Sequence, residues 1–395
     1  MTKALSGIRV LDLSRVLAGP WCTQMLGDLG AEIIKIEQPG KGDDTRSWGP
    51  PWHGDGDERL SAYYLSANRN KKSVTIDLSK PEGQALIREL AAKCDVLVEN
   101  FKVGGLEKYG LDYLSLKALN PRLVYCSITG FGHSGPRAHQ PGYDLMVQGM
   151  SGLMSVTGDP AGEPQKVGVA LVDVMTGLHA CIAVLAALNQ RHETGRGQLI
   201  DMALLDVAVS TLANIGLNQR VTGEAPRRMG NAHPSVVPYQ VFETADGHMI
   251  VAVGNDSQFA HFTKALGLAD LAKDPCFTTN SGRVENRGDL IPQLAQAMRG
   301  KTTAQWAELL ESVNVPAGPI NDIGQALADP QAVARGLATM AGNRPAIASP
   351  LRLSDSLPDA GTEPPLLGQN TDEVLGDMLG HDAASIADLK ARGIL

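Results

Sequence analysis

Asp173 stands immediately before an apolar helical run that begins near Met175, which places its carboxylate at a helix N-terminus. Unpaired N–H groups and the helix dipole favour an ionised carboxylate there. Aspartate is also a preferred helix cap, and capping is the ordinary local reading. Other familiar chemistries lack their residues. The chain has no G-x-x-x-x-G-K-[ST] for phosphates, and no H-E-x-x-H or paired C-x-x-C for zinc. Gly149-Met150-Ser151-Gly152 lacks the spacing of a serine nucleophile elbow. His133 and His139 read as surface loop residues, and Asp55, Asp57 and Glu58 as a solvated turn, so no metal is expected. Glu37 ends a predicted strand, where an acid would bind ribose. Yet the preceding turn, Arg15-Val16-Leu17-Ala18-Gly19-Pro20, lacks G-x-G-x-x-G, which leaves NAD binding a subordinate alternative.

The elements that must position these residues alternate strand and helix. Ile8 to Leu13, Glu32 to Glu37, Ser73 to Leu78, Val96 to Val98, Leu123 to Ile128 and Gln198 to Met202 read as strands. Helical patterns cover Trp21 to Leu29 and run from Pro81 to about Lys93, with Ser79 as the cap and Glu82 at the capping-box position. A longer helix from about Met175 to Arg191 is apolar nearly all round and is expected to be buried. This alternation predicts an α/β fold with a mostly parallel sheet. After Gly223 the texture changes. Val237 to Val253 reads as a hairpin around Asp246-Gly247, followed by helices near 257–267, 284–298 and 303–313. The expected domains are therefore 1–215, a smaller α+β lobe at 225–325, and a proline-rich segment at 330–395 that returns to the first.

Composition narrows the function classes. The 395 residues carry a net charge of −8, which argues against nucleic acid or an anionic membrane as the main partner. Glycine, at 43 residues, is enriched without forming tracts, as tight βα turns and close backbone approaches require. No uninterrupted apolar run reaches the ~18 residues of a membrane span, and MTKALSGIRV shows no signal-peptide pattern. Cys22, Cys94, Cys126, Cys181 and Cys276 read as reduced, buried thiols of a cytoplasmic protein.

Several stretches stand out together: LDLSRVLAGP (11–20), LGDLGAEIIKIEQPGKGDDTRSWGPP (26–51), NRNKKSVTIDL (68–78), ENF (99–101), GYD (142–144), VDVMTG (172–177) and TGRGQLID (194–201). With the HPSVVPY segment (233–239), VPAGPI (315–320) and PPLLGQNTDEVL (364–375), they closely resemble the class III CoA-transferases from residue 7 to Leu395. That family also contains the α-methylacyl-CoA racemases. GDDTRSWGPP and ANRNKKS look most like the members that move CoA between succinate and glutarate-type dicarboxylates.

The resemblance implies a Rossmann-like large domain, a smaller lobe, and ring-shaped subunits in an interlocked homodimer. It implies acyl-CoA and a small carboxylic acid as substrates, with neither metal nor NAD. Asp173 is implied as the nucleophile that attacks the acyl-CoA thioester. Tyr143 occupies the position where racemases carry histidine; a phenol is a poor α-proton base but can polarise a substrate oxygen, which favours transfer over racemisation. The implied CoA site comprises Val16, Leu17, Ala18, Ile76, Asn100, Phe101, Lys108 and Tyr109, with Asn100 and Phe101 against adenine. Lys71 and Lys72 are expected to add positive charge near it, helped by Arg69, Lys80 and Lys102. Arg15, Arg46 and Arg137 are candidates for a distal substrate carboxylate, and Trp48 for the pocket wall. Leu17 stands where oxalate-specific members carry glutamine, which argues against formate/oxalate exchange.

Overall fold

Six strands form one parallel sheet: β1 (Arg9–Asp12), β2 (Glu32–Glu37), β3 (Lys71–Thr75), β4 (Val96–Glu99), β5 (Val124–Thr129) and β6 (Leu199–Ala203). Their order is β3-β2-β1-β4-β5-β6, and every pairing is parallel. Such a doubly wound order reverses between β1 and β4, and the crevice outside the carboxyl ends of those strands is where ligands bind in sheets of this kind. The computed structural model describes residues 3–356, 358 and 361–395. The chain divides into two compact units, one of residues 1–153, 167–224 and 330–395, the other of 154–166 and 225–329.

Strand side chains alternate between two cores, because successive residues of a strand point to opposite faces. Leu11, Ile34, Val74, Leu97 and Tyr125 face one core, with Leu86, Ile87 and Leu90 of helix Pro81–Ala92. Val10, Ile33, Val96, Val98, Val124 and Cys126 face the other, with α1 (Ala18–Asp28). Helices on both faces explain why β5 is buried along its whole length. The free edge of β3 is covered by the C-terminal segment: Ser73 N donates to Asn370 Oδ1 at 3.1 Å and Thr75 N to Thr371 Oγ1 at 3.0 Å. An exposed row of strand donors is thereby closed off.

The elements depart from the sequence reading at several points. Ser79 does not cap the helix that starts at Pro81; its N–H and hydroxyl both bond to Asp77, and Lys80 takes the N-cap position without a capping box. The helix expected from Met175 begins at Leu171 and runs to Thr194. By length and composition it could cross a membrane, but Val172, Ala180, Cys181, Val184, Ala187 and Leu188 pack into the second core. It is not buried all round, since Ile182 is 64% exposed. Cys276 is exposed, unlike the other four cysteines.

The second unit holds a three-stranded antiparallel sheet. Its hairpin is Tyr239–Glu243 with His248–Ala252, turning at Asp246-Gly247 as the sequence predicts, and Ala317–Pro319 adds the third strand. Phe242, Met249, Phe262, Leu294 and Trp306 are among the residues of its separate core.

Candidate functional site

Two aspartates meet where the long helix begins. We designate Asp144–Met150 as α2 and Leu171–Thr194 as α3. Ala170, at the N-cap of α3, has no side-chain oxygen to bond the free N–H groups. Asp144 does so from a different element: its Oδ1 accepts from Val172 N at 2.8 Å and from Asp173 N at 3.2 Å. Gln148 steadies Asp144, donating to Oδ2 at 2.6 Å while its own Oε1 accepts from Val167 N. Asp144 is thus the cap, and the carboxylate of Asp173 is released from that duty. Among the described residues none donates a hydrogen bond to it.

That arrangement reverses one expectation. Burial, and then the Asp144 charge, push the Asp173 carboxyl up to about 7 rather than favouring ionisation. A partly desolvated carboxylate without hydrogen bonds is a better nucleophile than a capping one. Asp144→Asn keeps an oxygen for the helix donors but removes the charge. It is expected to move the acidic limb of the kcat/KM profile, where Asp173 takes up its proton, to lower pH by about one unit. Full pH–rate profiles of both proteins check this.

Tyr63 joins the same cluster. Burial raises its phenol, and the charges of Asp173, Asp144 and Asp43 raise it further. Its ring stands edge-on to Trp48, with centroids 5.1 Å apart, so Trp48 reaches the Asp173 neighbourhood through Tyr63. Tyr143 is the N-cap of α2 and is exposed. Its placement follows from two glycines, Gly130 and Gly142, whose backbones pack so closely that a Cβ on Gly142 would lie 2.2 Å from Gly130 Cα.

The loop after β1 lies at the switch point, and side chains from several elements hold its backbone. Ser14 N donates to Asp12, and Ser14 O accepts from Lys35 Nζ at 2.9 Å. Asn100, just after β4, brackets Arg15: its Oδ1 accepts from Arg15 N at 2.9 Å and its Nδ2 donates to Arg15 O at 2.7 Å. Val16 N donates to both Asp43 oxygens at 3.3 Å. Val16 itself has φ 71°, a left-handed conformation that β-branched residues rarely adopt. Such strain persists where surroundings over-determine it, and it clusters at ligand sites. Immediately afterwards α1 begins with no side-chain cap, its first N–H groups turned to the same crevice end of the sheet. Gly177, one turn beyond Asp173, lets α1 approach α3: a Cβ there would lie 2.6 Å from Ala18 O.

The structure places the remaining sequence candidates unevenly. Arg46 forks onto Glu37 (Nε–Oε2 2.7 Å, Nη2–Oε1 2.8 Å) and also bonds Tyr64 and Pro365, so it holds the loop together instead of facing a substrate. The same fork occupies Glu37, the candidate ribose acid. Lys71 has no exposed side-chain surface and bonds Asp12, Pro20 O and Asn68; burial lowers it to about 8. Lys72 pairs with Glu32 and Glu373, and Arg69 is buried against Asp28. Ile76 lies wholly in the core, and both ends of the Asn100 amide are engaged by Arg15. Leu17 and Ala18 are buried. Arg15 remains half exposed, paired with Asp44 and lying over the Phe101 ring at 5.7 Å. Lys108 lies over Tyr109 at 4.6 Å, and Arg137 reaches Gln140 in an exposed loop.

Asp144, Tyr63 and Asp43 were not singled out from sequence. The one signal for Asp144 is its adjacency to Tyr143. Asp43 lies in the GDDTRSWGPP stretch, but its grip on Lys35 and Val16 is not readable there, and Tyr63 carries no signal, because its neighbours Asp144 and Asp173 come from distant helices.

The model of CoA-transferase family III matches residues 5–371. The chain is 48% identical to the succinate–glutarate CoA-transferase of Agrobacterium fabrum, covering 95% of each chain. It is 43% identical to the human succinyl-CoA:glutarate CoA-transferase, covering 100% of this chain and 90% of that one. A crystal structure of a CAIB/BAIF family protein from Brucella suis superposes with a TM-score of 0.87 at 48% identity, covering 96% of this chain and 100% of that one. The chain belongs to CoA-transferase family III.

Proposed function

We propose that the protein moves CoA from succinyl-CoA to a glutarate-like dicarboxylic acid, with Asp173 as the covalent relay. The observation that carries this is the half-buried Asp173 carboxylate, which accepts no hydrogen bond from the described residues while Asp144 caps its helix. The substrate class rests on the succinate–glutarate relatives.

In the proposed sequence Asp173 attacks the thioester carbonyl, the C–S bond breaks, and CoA leaves as thiolate from a mixed anhydride. The thiolate attacks the aspartyl carbonyl and expels the donor acid as carboxylate, leaving an aspartyl-CoA thioester. The acceptor carboxylate attacks that thioester and releases thiolate again. The thiolate then takes the new acyl group and restores Asp173. Each step exchanges one acyl bond for another, so no other energy source is needed. Tyr143 and Tyr63 supply phenols beside the reacting carbonyl, and water must be kept out because the anhydride hydrolyses. Arg15 is the candidate for the distal carboxylate, since Arg46 is held by Glu37.

A homodimer fits the exposed apolar side chains around this region, Tyr143, Leu145, Met146, Met150 and Ile182. Succinyl-CoA offered against a panel of carboxylic acids, with CoA products identified by mass spectrometry, tests the substrate reading. A glutarate-length acyl-CoA product is expected. No exchange with any dicarboxylate would refute the reading, and solvent deuterium at Cα of a 2-methylacyl-CoA without acceptor would replace it with racemisation.

A further inference from the structure

A buried carboxyl that the proposed reaction does not use lies behind the switch-point loop. Glu99, the last residue of β4, is 4% exposed, and no lysine or arginine among the described residues pairs with it. Its Oε2 accepts from Phe101 N at 2.7 Å. The hydroxyl of Ser127, on neighbouring β5 and 1% exposed, lies within hydrogen-bonding reach of the same carboxylate. Ser127 Oγ is in turn 2.8 Å from His133 Nε2. His133 is exposed, and its backbone N–H is anchored on Asp201 of β6 at 3.0 Å. Ser127 stands directly across from Glu99 in the register of β4 and β5, so a line of polar groups runs from solvent at His133, past one hydroxyl, to a carboxyl inside the sheet.

We propose that Glu99 is a positioning residue for acyl-CoA binding, and that its charge, exchanged with solvent through Ser127 and His133, makes that binding pH-dependent. This rests on the CoA-site reading of the 100–101 loop. Ionised Glu99 holds Phe101 N by a charge-assisted bond, and Phe101 adjoins Asn100, which clamps Arg15 and hence the strained Val16. In that state Ser127 donates to Glu99 and accepts from His133. When a proton enters at His133 and passes inward, the order reverses: Glu99 donates to Ser127, and Ser127 donates to His133. The bond to Phe101 N then weakens.

The groups facing Glu99 admit this. Tyr125 and Cys126 of β5 are the nearby titratable neighbours, and burial together with Glu99 itself drives both far upward, so they stay neutral. On β1, Asp12 is held by Lys71, Thr23 and Ser14, and in the loop that follows Arg15 is paired with Asp44 and lies over the Phe101 ring. Burial, against the bonds from Ser127 and Phe101 N, pushes Glu99 up to about 7, so the change falls within the working range.

Calorimetric titration of the full chain with free CoA, between pH 6 and 8, tests the proposal. CoA phosphates titrate too, but equally in every variant, so the readout is the difference from Glu99→Gln. Wild type is expected to lose about fivefold more affinity on going from pH 8 to pH 6 than Glu99→Gln does. His133→Ala, at the exposed end, is expected to fold normally and to move the midpoint to higher pH, because the His133–Ser127 bond is stronger in the chain polarised by ionised Glu99 than in the neutral, reversed one. Identical pH dependence in wild type and Glu99→Gln, or an unmoved midpoint in His133→Ala, would overturn the proposal. Absence of CoA binding at every pH would instead overturn the site reading beneath it.

Discussion

Replacing Asp173 with alanine is expected to lower kcat by about 10⁴-fold or more while leaving CoA affinity within about threefold of wild type. A helix-capping aspartate could be lost at a cost in stability of about 1 kcal/mol and little else. Here Asp144 makes both bonds to the helix start, so Asp173→Ala leaves the cap in place. Its removal should be nearly silent in urea unfolding and decisive in turnover. Asp173→Asn should behave alike, since an amide oxygen is a poor nucleophile. Retained turnover in either variant, or a large loss of stability, would show that the carboxylate is structural. Trapping with hydroxylamine during turnover, followed by mass spectrometry, should mark Asp173 in wild type and nothing in the variants.

Removing the Asp43 carboxylate is the second large effect. Lys35 and Asp43 form an ion pair at 2.9 Å with no exposed side-chain surface on either. Asp43 also accepts from Thr45 N, Thr45 Oγ1 and Val16 N. Asp43→Ala leaves a buried ammonium with Ser14 O as its remaining partner and orphans two backbone donors. The expected cost is about 3–5 kcal/mol in urea unfolding. Relaxation of Val16 should raise KM for acyl-CoA as well. The double variant Lys35→Met/Asp43→Leu should recover much of the stability but not the KM, which separates the two roles. Acid titration gives an independent check of sign. Burial alone would raise Asp43, but Lys35 and the Thr45 bonds hold it at about 2. A carboxyl lowered in the folded state contributes stability above its unfolded value, near 3.8. That contribution, about 2 kcal/mol, is lost as the pH falls from ~4 through ~2. It is smaller than the alanine effect because protonated Asp43 keeps its hydrogen bonds.

Much of the fold was legible because it depends on local pattern. β2 matches its predicted limits, and the hairpin at Asp246-Gly247 follows from turn chemistry alone. The positions of charged side chains were not legible in the same way. Lys71 and Arg46 look like phosphate and carboxylate ligands from their place in the motifs. Their partners, Asp12 and Glu37, are brought to them by strand pairing and by a loop. Asn100 shows the same limit: its position after β4 is readable, whereas its grip on Arg15 requires β1 and β4 to be neighbours. Helix starts fail for a related reason. Ser79 has the composition of a cap, yet its hydroxyl prefers Asp77 two residues back.

The borrowed cap of α3 bears on how the chain acquires its active carboxylate. Local sequence starts this helix near Met175, and the extra turn back to Leu171 takes its N-terminal bonds from a residue 28 and 29 positions earlier. Helix growth from within can form the body of α3 early, since elongation is fast and local. The turn that carries Asp173 gains its cap only when α2 docks, a contact of much greater sequence separation. Until then Asp173 is solvated and behaves as an ordinary carboxylate. Reactivity at this position is therefore a product of late assembly, and partly folded chains are spared a desolvated nucleophile.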